Sequence, residues 1–224
     1  MRATAVRLSA VAAVVAVIGV AIGFYIANWL MSGPPAQHPV ASGTGTSKSV
    51  KLTIQTVAAV GPKLSSNPDW VSYLIQQHGK WVRSTIWTVP ANSTVHVTVY
   101  QFDGDSGLRN PFMGKVRGTV GNSMSVNGKK MKVLDPDLAS HTFAIPQLHL
   151  IVPLKGVADD APKQCGYAPC SMSQAHNTIT FSFHVGHKGH YRWQCFVPCA
   201  AGWLYGFGGP MQTLGYMDGF INAV

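Results

Sequence analysis

Between Leu8 and Met31 the chain carries no charged residue and one strongly polar one, Asn28. Wound as a helix at about 1.5 Å per residue, this run exceeds the roughly 30 Å of a bilayer core. It is longer than the apolar core of about 7–15 residues expected of a cleaved signal peptide. Ala27-Asn28-Trp29-Leu30 also offers no small-x-small cleavage site. The segment 1–31 is therefore expected to be an uncleaved transmembrane anchor, with Tyr25 and Trp29 near its outer interface. Arg2 and Arg7 precede it with no acid nearby, which places the N-terminus in the cytoplasm and the rest of the chain outside a single-pass cell membrane.

Beyond the anchor the chain reads as a tether and one domain. Residues 32–48 are rich in Pro, Gly and Ser and are expected to be a flexible spacer. Residues 49–224 form a folded extracytoplasmic domain long enough to bury a core. Val50–Val57 and Thr94–Gln101 alternate with the period of half-buried strands. Asn127-Gly128 is a two-residue hairpin signal between Met124–Val126 and Lys129–Val133. Further strands are expected over Ser84–Val89, His141–Ile145, Leu148–Val152, Asn177–His184 and Tyr191–Gln194, with a terminal strand after Met217. Ser66-Asn67-Pro68-Asp69 before Trp70, Tyr73 and Leu74 has the cap and first-turn residues of one short helix. Turn-punctuated strands of this kind argue for an all-β sandwich or barrel.

Composition removes several function classes. The formal charge is +9, all eight acids are aspartates, and there is no glutamate. Paired-Glu hydrolysis and Glu-dependent zinc chemistry are thereby excluded. No Ser-His-Asp or Cys-His arrangement is visible in the order of the residues, so hydrolytic catalysis is not expected of the chain alone. Lys and Arg are scattered rather than interleaved with aromatics along one segment, which argues against nucleic-acid binding. Anionic headgroups or solvent are the expected surroundings of this basic surface.

The chemistry concentrates near the C-terminus. Cys195 and Cys199 begin a glycine-rich loop, and Met217 stands just before the terminal strand. His141 can supply an imidazole from an earlier strand. Thiolate, thioether and imidazole together select copper, and thiolate-rich sets favour Cu(I). His141, Cys195, Cys199 and Met217, with Met211 as the alternative thioether, suit one copper better than two. His149, His184, His187 and His190 are weaker candidates, the last two because they precede the strand leading to Cys195. The competing reading is a disulfide between Cys195 and Cys199, because extracytoplasmic cysteines commonly pair. Cys165 and Cys170, five apart on a Pro- and Gly-containing segment, are expected to form a disulfide in either case.

His141-Thr-Phe-Ala-Ile-Pro146, the approach Gly189-x-Tyr191-x-Trp193-x-Cys195 and the Cys-x3-Cys spacing resemble the copper domain of cytochrome c oxidase subunit II, a cupredoxin. Met217-x-Gly219 is similar to the axial methionine motif of blue copper proteins. The resemblance covers roughly residues 84–224. It implies a cupredoxin-like Greek-key β-sandwich, an electron-transfer role with a redox partner or respiratory complex, and a backbone carbonyl ligand at Val197, where the family has Glu. The chain departs from that pattern at Trp203, where subunit II has its second histidine, in its longer loop and in having one membrane helix. Three functions remain open: an anchored electron-transfer cupredoxin, a Cu(I) delivery or sequestration protein, and a metal-free accessory or structural domain held by disulfides.

Overall fold

A computed structural model describes residues 2–30, 40–41, 45–46, 48–64, 69–199 and 209–224. The apolar run forms helix α1 (Arg2–Tyr25), continued by a π-helical turn over Ile26–Leu30. The span Val6–Asn28 has a mean hydropathy of 2.6 and no buried share, so it is long and apolar enough to cross a membrane.

The rest is two mixed β-sheets packed face to face. The strands are β1 (Val40–Ala41), β2 (Gly45–Thr46), β3 (Ser49–Val57), β4 (Ser72–Gln77), β5 (Lys80–Val82), β6 (Ile86–Val89), β7 (Thr94–Gln101), β8 (Met124–Val126), β9 (Lys129–Met131), β10 (Ala139–Ile145), β11 (Leu150–Lys155), β12 (Asn177–His184), β13 (Gly189–Gln194) and β14 (Asp218–Ala223). The first sheet runs β1-β6-β14-β13-β10-β11, and the second runs β5-β4-β3-β7-β12-β8-β9 with β2 beside β3. Between named strands, parallel pairing is confined to β1–β6, β6–β14 and β3–β7 among the described residues.

Alternation explains the central strands. In β7, Val95, Val97 and Val99 are buried while Thr94, His96 and Thr98 point away from the core. β12 answers with Ile179, Phe181 and Phe183, register Phe181↔Val97. The Asn127-Gly128 hairpin forms as expected, both residues at positive φ (49° and 83°). Aromatic rings fill the space between the sheets: Trp193 stacks on Trp87 at 4.7 Å, meets Tyr73 edge-on at 4.8 Å and lies 5.6 Å from Phe143. Each such pair contributes about 0.5–1.5 kcal/mol beyond the area it buries.

One local expectation is corrected. The segment expected to be a short helix is strand β4 from Ser72, and of its cap and first-turn residues Ser66, Asn67 and Pro68 lie outside the described residues. A surface helix buries one stripe, whereas β4 is buried on both faces. Tyr73 and Ile75 enter the main core and Leu74 enters a second cluster with Val57, Phe102, Cys165 and Cys170. Within the segment read as a tether, β1 and β2 pair with β6 and β3, while most of the other positions lie outside the described residues.

The Cys165–Cys170 disulfide is present. It covers the outer face of β3, where buried Gln55 holds the loop by Nε2 donating to Cys170 O (2.8 Å) and Oε1 accepting from Cys170 N–H (3.1 Å). Satisfying both groups of an amide in this way lets a polar side chain sit in the interior without an unpaired donor.

Candidate metal centre

β10 supplies the imidazole. All seven of its residues are buried, and its pairing with β11 shifts register between Ala139 and His141. This bulge at Ser140 aims His141 inward at the end of the strand. β13 supplies the sulfur: Trp193 anchors it in the core, and two residues on, with the same inward sense, comes Cys195. The ladder continues one step past β13, since Cys195 N–H donates to Met217 O at 3.0 Å. A tight turn in which Cys199 N–H donates to Val197 O (2.7 Å) then swings the second cysteine back over the first.

The three side chains converge. His141 Nδ1 lies 3.0 Å from Cys199 Sγ and 3.8 Å from Cys195 Sγ, and the two sulfurs are 3.2 Å apart. All three ligand atoms fall within 4.8 Å of one another and all three residues are buried. A first-row metal with bonds of about 2.0–2.3 Å to nitrogen and sulfur places such donors roughly 3.5 Å apart, so the set fits one ion with little movement. The Val197 carbonyl faces both sulfurs, at 3.1 Å from Cys199 and 3.5 Å from Cys195. Neither cysteine is in a disulfide.

Asp103 completes the site, although nothing in the sequence marks it. Its Oδ2 lies 2.9 Å from His141 Nε2. With the Nε2 proton held by a carboxylate, the Nδ1 lone pair is left facing the sulfurs, the usual way in which a metal-bound histidine is oriented. No spacing rule joins Asp103 to His141, because they meet only when the chain past β7 folds against β10.

Electrostatics follow from burial and pairing. Burial pushes the His141 imidazole down, but hydrogen bonds and charge from Asp103 and Cys195 outweigh it and raise the pKa to about 9. Burial pushes the Cys195 thiol up, yet contacts from Cys199, His141 and the Thr142 amide hold it well below the ordinary thiol value. Cys199, bonded to Cys195 and buried, is pushed the other way. The two cysteines thus shift in opposite senses, Cys195 towards the thiolate and Cys199 towards the thiol. Thr142 N–H points at Cys195 Sγ (3.4 Å), and Thr142 Oγ1 accepts from Phe196 N–H (2.8 Å), tying both strands to the sulfur.

A thiolate, an imidazole and a carboxylate also form the row used by cysteine hydrolases. Here Cys195 is fully buried and His141 is 3% exposed. The second thiol lies 3.2 Å from the first.

The structure brings His141, Cys195 and Cys199 together. Met217 is fully buried in the same core cluster, and Met211 is half-buried against it, with its carbonyl accepting from Gln194 Nε2 (2.9 Å). The other histidines lie elsewhere: His184 pairs with Thr94 Oγ1, His190 with Asn222 Oδ1, and His149 is exposed in a left-handed turn after β10. His187, whose carbonyl accepts from the Tyr191 hydroxyl, sits with His190 at the far end of β13 from Cys195. Trp203 lies outside the described residues.

For a metal held by His141, Asp103→Asn would be expected to weaken binding by about 10–100-fold, the usual loss when a ligand histidine loses its carboxylate partner. Asp103→Glu should recover part of it. A competition titration against a Cu(I) chelator reads both, and unchanged affinity in Asp103→Asn would remove the carboxylate from the site.

No protein-family model matches the chain, and no curated protein sequence matches it. Solved structures similar to it include rusticyanins. A copper protein rusticyanin is 17% identical, with 86% of this chain and 87% of that chain covered at a TM-score of 0.34. Rusticyanin from Thiobacillus ferrooxidans is 17% identical over 86% of each chain, TM-score 0.35. Reduced rusticyanin is 20% identical over 86% of this chain and 89% of that one, TM-score 0.33.

Proposed function

We propose that the chain is a membrane-anchored, extracytoplasmic copper protein that carries single electrons, with His141, Cys195 and Cys199 holding one copper ion and Met217 giving the thioether. The observation that carries this reading is the convergence of one imidazole Nδ1 and two sulfurs inside a buried site, with the imidazole's other nitrogen on a carboxylate. Copper bound there supplies a one-electron couple. The chain's own residues do the rest. Cys195 and Cys199 bring negative charge into an apolar setting that favours a soft cation. Asp103 fixes the imidazole, the Thr142 amide offsets charge on Cys195 Sγ, and the Trp193, Tyr73 and Trp87 rings exclude water behind the sulfurs.

The place of the Val197 carbonyl, between the two sulfurs, supports the resemblance to the oxidase subunit II loop at the level of its backbone. Burial of both thiols argues against handing Cu(I) to another protein, since a donor must expose a sulfur to the acceptor. The metal-free reading with two disulfides requires a Cys195–Cys199 bond, and both cysteines are free here. Helix α1 would hold the domain at the outer membrane face, with Arg2 and Arg7 on the cytoplasmic side. Metal analysis of the full-length protein, with a thiol count on the same sample, tests the assignment.

A further inference from the structure

Beside the metal centre a second feature has no role in holding a metal. Phe112, Met113, Pro146, Ile151 and Phe196 line an open apolar cavity of about 490 Å³, with Arg117 and His149 as its polar members and no carboxylate in its lining. Phe196 directly follows Cys195, and its amide is bonded to Thr142, the neighbour of His141. The cavity therefore opens one residue from the sulfur. Phe112 is 48% exposed and carries the Arg117 guanidinium over its ring at 3.9 Å. Lys115 stands two residues before Arg117, on the same side of a segment bridged to Val133 and Ile151. Val133 adds a further 60%-exposed apolar side chain to this side.

Apolar floor and cationic rim together specify an occupant. An exposed apolar patch of this kind marks an interaction site. Arg117 in the lining, with no carboxylate among the described lining residues, favours a negatively charged partner over a positive one. We propose that this face docks an acidic one-electron carrier protein that inserts an apolar side chain between Phe112 and Phe196 while its carboxylates meet Arg117 and Lys115. A copper ion held by His141, Cys195 and Cys199 would take up the one electron that the partner's carrier gives up, with no bond or proton exchanged. The proposal rests on the electron-transfer reading above, but docking is read as binding and so is tested separately from copper loading.

The test titrates the full-length protein in detergent, metal-free and copper-loaded, with an acidic and a basic c-type cytochrome at low and high salt. The acidic cytochrome is expected to bind and the basic one not to. Lys115→Glu and Arg117→Glu should each weaken the acidic complex at low salt by about tenfold. Phe112→Ala, which removes an exposed ring, should weaken it at high salt as well. Lys188→Glu makes the same charge change in the turn before β13, at the far end from Cys195, and should have little effect. Equal loss in Lys188→Glu would reduce the attraction to net charge and overturn the docking face, as would failure of the acidic cytochrome to bind. Quenching of a Phe112→Trp variant by brominated lipid in reconstituted protein would assign the face to the bilayer instead. Loss of copper with intact binding would overturn the metal reading alone.

Discussion

Cys195→Ser is expected to abolish copper retention while leaving the β-sandwich folded. Cys195 Sγ is the most connected atom of the site: it touches Cys199 Sγ, His141 Nδ1, the Thr142 amide and the Val197 carbonyl. A serine hydroxyl is a hard and weakly acidic donor, so it contributes almost nothing to a soft cation. The loss should exceed the roughly 10–100-fold expected when only a ligand's hydrogen-bond partner is removed. The fold should survive because the smaller oxygen can donate to Val197 O and leaves no unpaired donor. The paired control is Cys165→Ser with Cys170→Ser, which removes a disulfide against the outer face of β3 and none of the converging atoms. That variant should lose stability, by about 2–5 kcal/mol, yet keep its copper. Copper content after gel filtration and far-UV circular dichroism separate the two outcomes. Copper retained by folded Cys195→Ser would remove this sulfur from the site.

The second large effect concerns Gly219, the glycine of the Met-x-Gly motif. Gly219 pairs with Trp193 across β13–β14. A methyl group added there would overlap the Thr85 carbonyl oxygen and come within 2.6 Å of Trp193 Cζ2. Neither neighbour can turn aside: Thr85 O is main chain and accepts from Phe220 N–H at 2.9 Å, while Trp193 is clamped by Trp87, Tyr73 and Phe143. Gly219→Ala must therefore separate β14 from β6 or displace the indole behind the sulfurs. Overpacking of this kind costs about 1–3 kcal/mol, and the main-chain overlap places it at the upper end or beyond. Denaturant unfolding should show the loss, and copper affinity should fall with it because Met217 and Cys195 move together. An unchanged midpoint would mean that the strands do not approach this closely.

The parts of this molecule that are readable from sequence are those fixed by local periodicity or by chemical identity. β7 and β12 alternate because one face is buried, and Asn127-Gly128 marks its turn because few other residues accept positive φ at both positions. The two cysteines four apart and His141 in its motif point to the converging atoms directly. β4 reads as a helix because Tyr73, Leu74 and Ile75 are buried on two faces, which hides the period-2 signal, while Ser66, Pro68 and Asp69 are residue types that favour a helix start. Asp103 is invisible for a different reason. An aspartate just after a strand, before glycine, reads as a turn residue, and its contact with His141 spans 38 positions of chain. The converging side chains are legible by type, and the carboxylate that orients the imidazole is fixed only by tertiary packing.

The most direct test is the metal content of the full-length protein purified in detergent under reducing conditions and loaded with copper. Copper and zinc should be measured per chain together with free thiols before and after chelation. The expected result is about one copper per chain, two thiols masked by the metal and recovered when it is stripped, and the Cys165–Cys170 disulfide intact throughout. Zinc in place of copper, or no metal and no recoverable thiols, would contradict a copper centre at His141, Cys195 and Cys199.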